Sequence, residues 1–254
     1  MRYRIGHEFR SPAPSLRELK RSKLYAEELG IDLASGREQD YFRWFLASLL
    51  FGGRIGEAIA RRTYKSFCRH GLTSPRRIVA AGWDFLVNPV MREGGYVRYD
   101  GRKSEQILRD CRTLLVRYGG SLSRLHEAAR DTDDLEARLD ALYGVGPITA
   151  NIFLRELRPF WSKADPLPLP SVLALANTLV IDLGRLRRKT LTFARIEAGL
   201  IGFSHRQRLS RARVPPSSQK ASSANREATA TRRHAVIRAG DAQEGAEAEA
   251  KLRR

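Results

Sequence analysis

Apolar residues recur at three- and four-residue spacing through most of this chain, and no stretch alternates with period two. That pattern predicts helices and no sheet. Residues 1–34 are charged and irregular, with one short amphipathic piece over 16–29, and read as a loosely ordered arm. Order begins at Ser35, three residues before Glu38 in a capping-box spacing. It opens a helix bearing Phe42, Phe45, Leu46, Leu49 and Leu50, which Gly52-Gly53 ends. Further helices are predicted over about 55–67, from Ser74-Pro75, over 83–90 and over 103–118. In the last of these Ile107, Leu108, Cys111, Leu114 and Leu115 keep one stripe up to Gly119-Gly120. Ser121 or Ser123 caps the next helix, and 170–181 and 191–201 supply the final two. After Gly202 large apolar residues almost vanish, so 204–254 cannot offset its ordering entropy and is expected to be a disordered basic tail. The helical domain is expected to span 35–203.

The most informative stretch runs from Leu139 to Asn151. Leu135, Leu139 and Leu142 recur at helical spacing before it, and Ile152, Phe153 and Leu157 do so after it. Between them, Gly144-Val145-Gly146 reads as a tight hairpin whose glycines can take positive φ and leave their amides bare, with Pro147 at the first turn of the second helix. A helix N-terminus with outward-facing amides grips phosphate; the same spacing also describes an ordinary helical corner.

Charge favours the first reading. The 254 residues carry net charge +18 with a pI near 10.7. Residues 204–254 hold 12 basic and 5 acidic side chains, which leaves +11 on the remainder. The helical part itself attracts a polyanion, of which nucleic acid is the prime candidate. Cys68 and Cys111 lie far apart and the five histidines show no paired spacing, so neither an iron–sulfur cluster nor a metal held by His or Cys is expected. No apolar run reaches the roughly 18 residues of a membrane span, and a monomeric, cytoplasmic protein is expected.

Asp165 lies 19 positions after Gly146, just before Pro166-Leu167-Pro168 and a proline-started helix. It reads either as a cap for that helix or as a reactive carboxylate facing the hairpin. In the second case it would stabilise the oxocarbenium charge that develops on a sugar as its base departs, and would orient or deprotonate water.

With this order and spacing, residues 35–179 resemble the helix-hairpin-helix DNA glycosylase superfamily that includes endonuclease III. The likeness rests on Phe45-Leu46-Ala47-Ser48-Leu49-Leu50, on the helix start Arg102-Lys103-Ser104-Glu105-Gln106-Ile107, on Leu142 to Ala150, and on Asp165. It implies an all-α, two-lobed helical bundle that binds duplex DNA, flips a nucleotide and hydrolyses the bond to a damaged or mispaired base, with Asp165 catalytic. It implies that the amides of Gly144, Gly146 and Ile148 hold a DNA phosphate, often through a monovalent cation, with Val145 and Thr149 among the DNA-binding residues.

Ile148 stands where bifunctional relatives carry a Schiff-base lysine, which implies the monofunctional branch; Lys163 is two residues before Asp165, outside that pattern. The cysteine cluster of many relatives is missing. Pro166-Leu167-Pro168 replaces their short polar pair, so a scaffold that binds DNA without chemistry is the alternative. Phe51 stands where relatives place a wedge for the gap left by a flipped base, with Arg54 nearby, or it is a core residue at a helix end. Arg98, among Tyr96 and Tyr99, suits backbone contact, or those tyrosines pack beneath a turn. Gly52-Gly53-x-x-Gly56 has no preceding strand and no Gly-Lys-Ser/Thr, and is no nucleotide loop.

Overall fold

A run apolar on nearly every face can only be the centre of a helical fold, and Phe42, Trp44, Phe45, Leu46, Leu49 and Leu50 form such a run. They lie on one helix, Glu38–Phe51, and all are buried. The computed structural model describes residues 12–53 and 55–212, and among them every regular element is helical. In chain order these are α1 (Leu16–Leu19), α2 (Tyr25–Glu28), α3 (Glu38–Phe51), α4 (Glu57–Arg69), α5 (Pro75–Phe85), α6 (Arg92–Gly94), α7 (Asp100–Tyr118), α8 (Leu122–Ala128), α9 (Thr132–Asp140), α10 (Pro147–Leu157), α11 (Pro170–Thr178) and α12 (Leu191–Ala212). The protein is an all-α bundle. No helix among the described residues is long and apolar enough to cross a membrane.

Helix α3 is shared by two groups of helices. On one side it packs on α4, which leads to α6, while α5 lies along α7; on the other it packs on α10 and α8. The contact with α10 is specific. Trp44 Nε1 donates to Phe153 O at 3.0 Å, and the Phe45 and Phe153 rings meet edge to face at 5.4 Å. Because both groups share α3, the described residues up to His205 hold together as one unit. A second unit begins at Arg206, of which the end of α12 is described.

The N-terminal residues depart from the expected loose arm. Leu19, Leu24, Tyr25, Ala26, Ile31 and Leu33 are buried in the common core. Glu156, on α10, accepts the Tyr25 and Ala26 amides at 2.9 Å each and so caps α2 from 130 positions away. Helices of four residues offer no periodicity to read, and this cap is invisible to local pattern.

The start of α3 also differs. Ser35 closes a 3₁₀ turn and donates to Asp40, while Glu38 accepts from Ser121 Oγ and from the Leu122 and Ser123 amides, capping α8 instead of pairing with Ser35. The helix expected over 83–90 is divided: α5 bends at Gly82 and runs to Phe85, and a π-helical segment, Leu86–Met91, follows. Helix α12 continues past Gly202, because Phe203 is buried and His205 Nδ1 lies 2.6 Å from Glu57 Oε2. The tail expected from 204 is therefore helical to Ala212, and 213–254 lie outside the described residues.

The α3–α10 contact fixes one glycine. A Cβ on Gly52 would fall 2.1 Å from Thr149 Oγ1 and 3.2 Å from Ser48 O, so the two helices approach where only hydrogen fits. Gly52→Ala is expected to cost about 1–3 kcal/mol by forcing them apart. Adding Thr149→Ala should return part of that loss. Urea unfolding of both variants checks this, and equal midpoints for Gly52→Ala and wild type would refute the close approach.

Candidate functional site

Residues 141–146 join α9 to α10 where the spacing predicts a turn between two helices, but the glycines there serve other ends. Neither Gly144 nor Gly146 has positive φ; Gly146 sits at φ −104°. Gly144 is needed because a Cβ would fall 2.7 Å from Asp110 Oδ2 and 3.0 Å from Gln106 Cβ of α7. Its amide donates to Asp110 Oδ1 at 3.1 Å, and the Val145 amide donates to Leu142 O at 3.2 Å. Those two amides are therefore not free for phosphate, and the Val145 side chain is buried.

The end of α10 is different. No side chain caps it, so the amides of its first turn, including Ile148 and Thr149, keep no partner within the helix. Nothing lies within 4 Å of where a Gly146 Cβ would be, and Ile148 is half exposed. The Thr149 side chain instead faces Gly52 and is buried.

Local pattern does not single out Asp110, because its partner is 34 positions away. It is fully buried, and that burial pushes its carboxyl up to about 6, against the Gly144 amide and the Lys103 charge, which favour ionisation. A folded-state value above the unfolded one means that the stability due to this group is present below about 4 and is lost as pH rises through about 6. Lowering the pH from 7 to 5 should accordingly stabilise the wild type more than Asp110→Asn, by about 1–2 kcal/mol. Melting temperatures of the two across that range test this, and parallel slopes would refute it.

Beyond α10 the chain doubles back at once. The Phe160 and Trp161 amides donate to Leu157 O at 2.9 and 2.8 Å, and Ala164 N–H to Trp161 O at 3.1 Å. Asn151 Nδ2 then donates to Leu167 O at 2.8 Å, tying the loop that carries Asp165 to α10. As a result Asp165, Pro166 and Leu167 line an open cleft of about 750 Å³ with Pro147, Ile148 and Asn151 of α10, Asp133, Glu136 and Asp140 of α9, and Arg188. The Asp165 carboxylate and the first turn of the hairpin helix thus share one cavity.

Asp165 is held by two guanidiniums. Arg188 Nη2 lies 2.8 Å from Oδ2, and Arg158 Nε lies 3.6 Å from Oδ1. Arg158 is itself fully buried; it bonds Glu197 Oε2 and Pro166 O and lies 5.1 Å over the Phe193 ring. Oδ1 of Asp165 and Oδ1 of Asn151 are buried acceptors without a hydrogen-bond donor. Burial and the neighbouring Asp133 charge raise the Glu136 carboxyl on the same cleft.

Lys163 faces elsewhere. Its Nζ donates to the His126 and Glu127 carbonyls at 2.9 and 3.1 Å, capping the end of α8.

Phe51 is not a free wedge. It is half-buried, meets the Tyr25 ring edge to face at 5.8 Å and carries Arg61 at 5.6 Å. Arg54 lies outside the described residues. Arg98 is exposed and lies 5.1 Å over the Tyr99 ring, whereas Tyr96 is buried, its Oη 2.9 Å from where a Gly53 Cβ would be. The turn after α3 therefore joins two other predicted contact elements. Gly52 meets Thr149 of α10, and Gly53 meets Tyr96 of the 94–99 loop. The glycine pair serves close approach.

Among the described residues no three His, Cys, Asp or Glu side chains are arranged to hold a metal ion, and Cys68 and Cys111 are both free thiols. Comparison with family models, curated proteins and solved structures returns no match to this chain.

Proposed function

We propose that this protein is a monofunctional helix-hairpin-helix DNA glycosylase, which acts as a monomer in the cytoplasm on duplex DNA and hydrolyses the bond between a damaged or mispaired base and its sugar. One observation carries the reading: Asp165 and the uncapped first turn of α10 line the same cleft. The amides there and the helix dipole suit a backbone phosphate, and the carboxylate suits the cationic sugar next to it. Water forms the new bond to C1′ as the C1′–N bond breaks. Its proton passes to Asp165, and the electron pair leaves with the base nitrogen, which takes up a proton. Asp165 lines the open cleft in which such a water would stand. Ile148 in place of a lysine agrees with the absence of a Schiff-base step. A monovalent cation at the hairpin would take backbone carbonyls, of which Leu142 O and Gly146 O each keep a lone pair beside the amide they accept.

A second reading, a DNA-binding scaffold without chemistry, is favoured by the two arginines that already neutralise Asp165. The test is base release from duplexes carrying uracil, thymine opposite guanine, an oxidised purine, an oxidised pyrimidine or an alkylated purine, with strands read before and after alkali. Cleavage of one substrate only after alkali is expected. Duplex binding without release from any of them would establish the scaffold.

A further inference from the structure

A second cleft, of about 510 Å³, opens between α7, α8 and α9 and is lined by Arg117, Tyr118, Gly119, Arg124 and Arg138. We propose that it binds a backbone phosphate of duplex DNA, at a point separate from the hairpin. The inference rests on the DNA-binding half of the function above and not on its chemistry.

The charge around this cavity is one-sided. Arg117 and Arg124 are exposed, and neither has a side-chain partner among the described residues. Arg138 shares the single carboxylate of Asp134, at 3.1 Å, with Arg130. Guanidiniums gathered about an open space repel one another, and an anion with several acceptor oxygens relieves that repulsion while taking their hydrogen bonds. Gly119 makes the arrangement possible: its φ of +62° suits glycine, and a Cβ would fall 2.6 Å from Arg124 Nη1. Helix α9 divides the charge, with Arg138 on this cavity and Asp133, Glu136 and Asp140 on the cleft of Asp165.

Position favours a duplex over a small phosphorylated ligand. Arg117 lies seven residues after Asp110 on α7, so both fall on one face, about 10 Å apart along the axis. Asp110 holds Gly144 of the hairpin. A duplex presents several phosphates over a span of that length, which a small ligand does not.

The test is affinity for an undamaged duplex of about 20 base pairs over a salt series. The wild type is compared with Arg117→Gln/Arg124→Gln and with Arg17→Gln/Arg112→Gln, which removes equal charge from exposed positions outside the cleft. For every phosphate that a variant no longer neutralises, the slope of log K against log salt should flatten by about 0.9. The cleft variant is expected to show about one such step, with a uniform fall in affinity and an unchanged melting temperature, while the control keeps the wild-type slope. Equal changes in both variants would overturn the proposal. So would a melting temperature raised by inorganic phosphate over chloride at equal ionic strength, in the wild type only, with no slope difference on DNA; that result assigns the cleft to a free phosphate group. A wild type that binds no duplex would overturn this inference and the DNA partner together. Failure of base release with the slope difference intact would count against the chemistry and for this site.

Discussion

Arg158→Met is expected to destabilise the fold by about 3–5 kcal/mol, more than any other substitution proposed for this protein. The guanidinium has no accessible surface; it bonds Glu197 Oε2, Pro166 O and Arg155 O, approaches Asp165 Oδ1 at 3.6 Å and covers the Phe193 ring. Methionine fills much of the same volume but leaves Glu197, whose side chain is 1% exposed, as a buried charge without a counterion. The cost lies in that orphaned carboxylate more than in the broken pair. Glu197→Leu added to Arg158→Met should therefore recover stability, since an ion pair replaced as a whole by apolar groups is often neutral. Urea midpoints at unchanged m-value measure both effects. A loss below about 1 kcal/mol in the single variant, or no recovery in the double, would show that Arg158 does not neutralise Glu197.

The same residue shows what local pattern can and cannot reveal. Helices α3, α7 and α10 were legible because their apolar spacing and their punctuation, Gly52, Gly119 and Pro147, are written within one segment. So was the turn between α9 and α10, whereas the return that brings Asp165 to the same cleft was not, because it is fixed by Asn151 holding Leu167 O across 16 positions. What was hidden depends on partners distant in sequence. Asp110 takes the Gly144 amide across 34 positions, Glu156 caps α2 across 130, and Glu38 caps α8 across more than 80. A polar residue that satisfies a remote backbone group looks, in sequence, like any surface charge. The N-terminal residues read as loose for that reason: Arg17, Glu18, Lys20 and Arg21 dominate the composition, while the anchoring leucines are too few for a period. Phe51 is the opposite case. Its place beside a glycine turn is legible, but Tyr25 and Arg61, which occupy its ring, belong to elements that no spacing connects to it.

Asp165→Asn is expected to lower single-turnover base release by about a thousandfold while duplex binding holds or tightens. A carboxylate about 4 Å from a developing sugar cation contributes roughly 4 kcal/mol at an effective dielectric near 20, which corresponds to that factor. The amide keeps the shape and one acceptor oxygen but not the charge, so ground-state contacts survive and the loss falls on the transition state. The two arginines sharpen the test. With Arg188 at 2.8 Å and Arg158, itself paired with Glu197, at 3.6 Å, the carboxylate as it stands already has cationic partners and offers a sugar cation little attraction. The chemistry therefore requires Arg188, whose side chain is 39% exposed, to leave Asp165 when DNA enters, with a phosphate as its natural new partner. Arg188→Gln should then weaken duplex binding and flatten its salt dependence by about one phosphate, with the rate for bound substrate kept within about tenfold. If Asp165→Asn releases base at a rate within about tenfold of the wild type, the carboxylate does not carry the reaction. If neither protein releases any base and Arg188→Gln still weakens binding, Asp165 serves only to hold Arg188 for a phosphate, and the cleft belongs to a protein that grips DNA without cutting it.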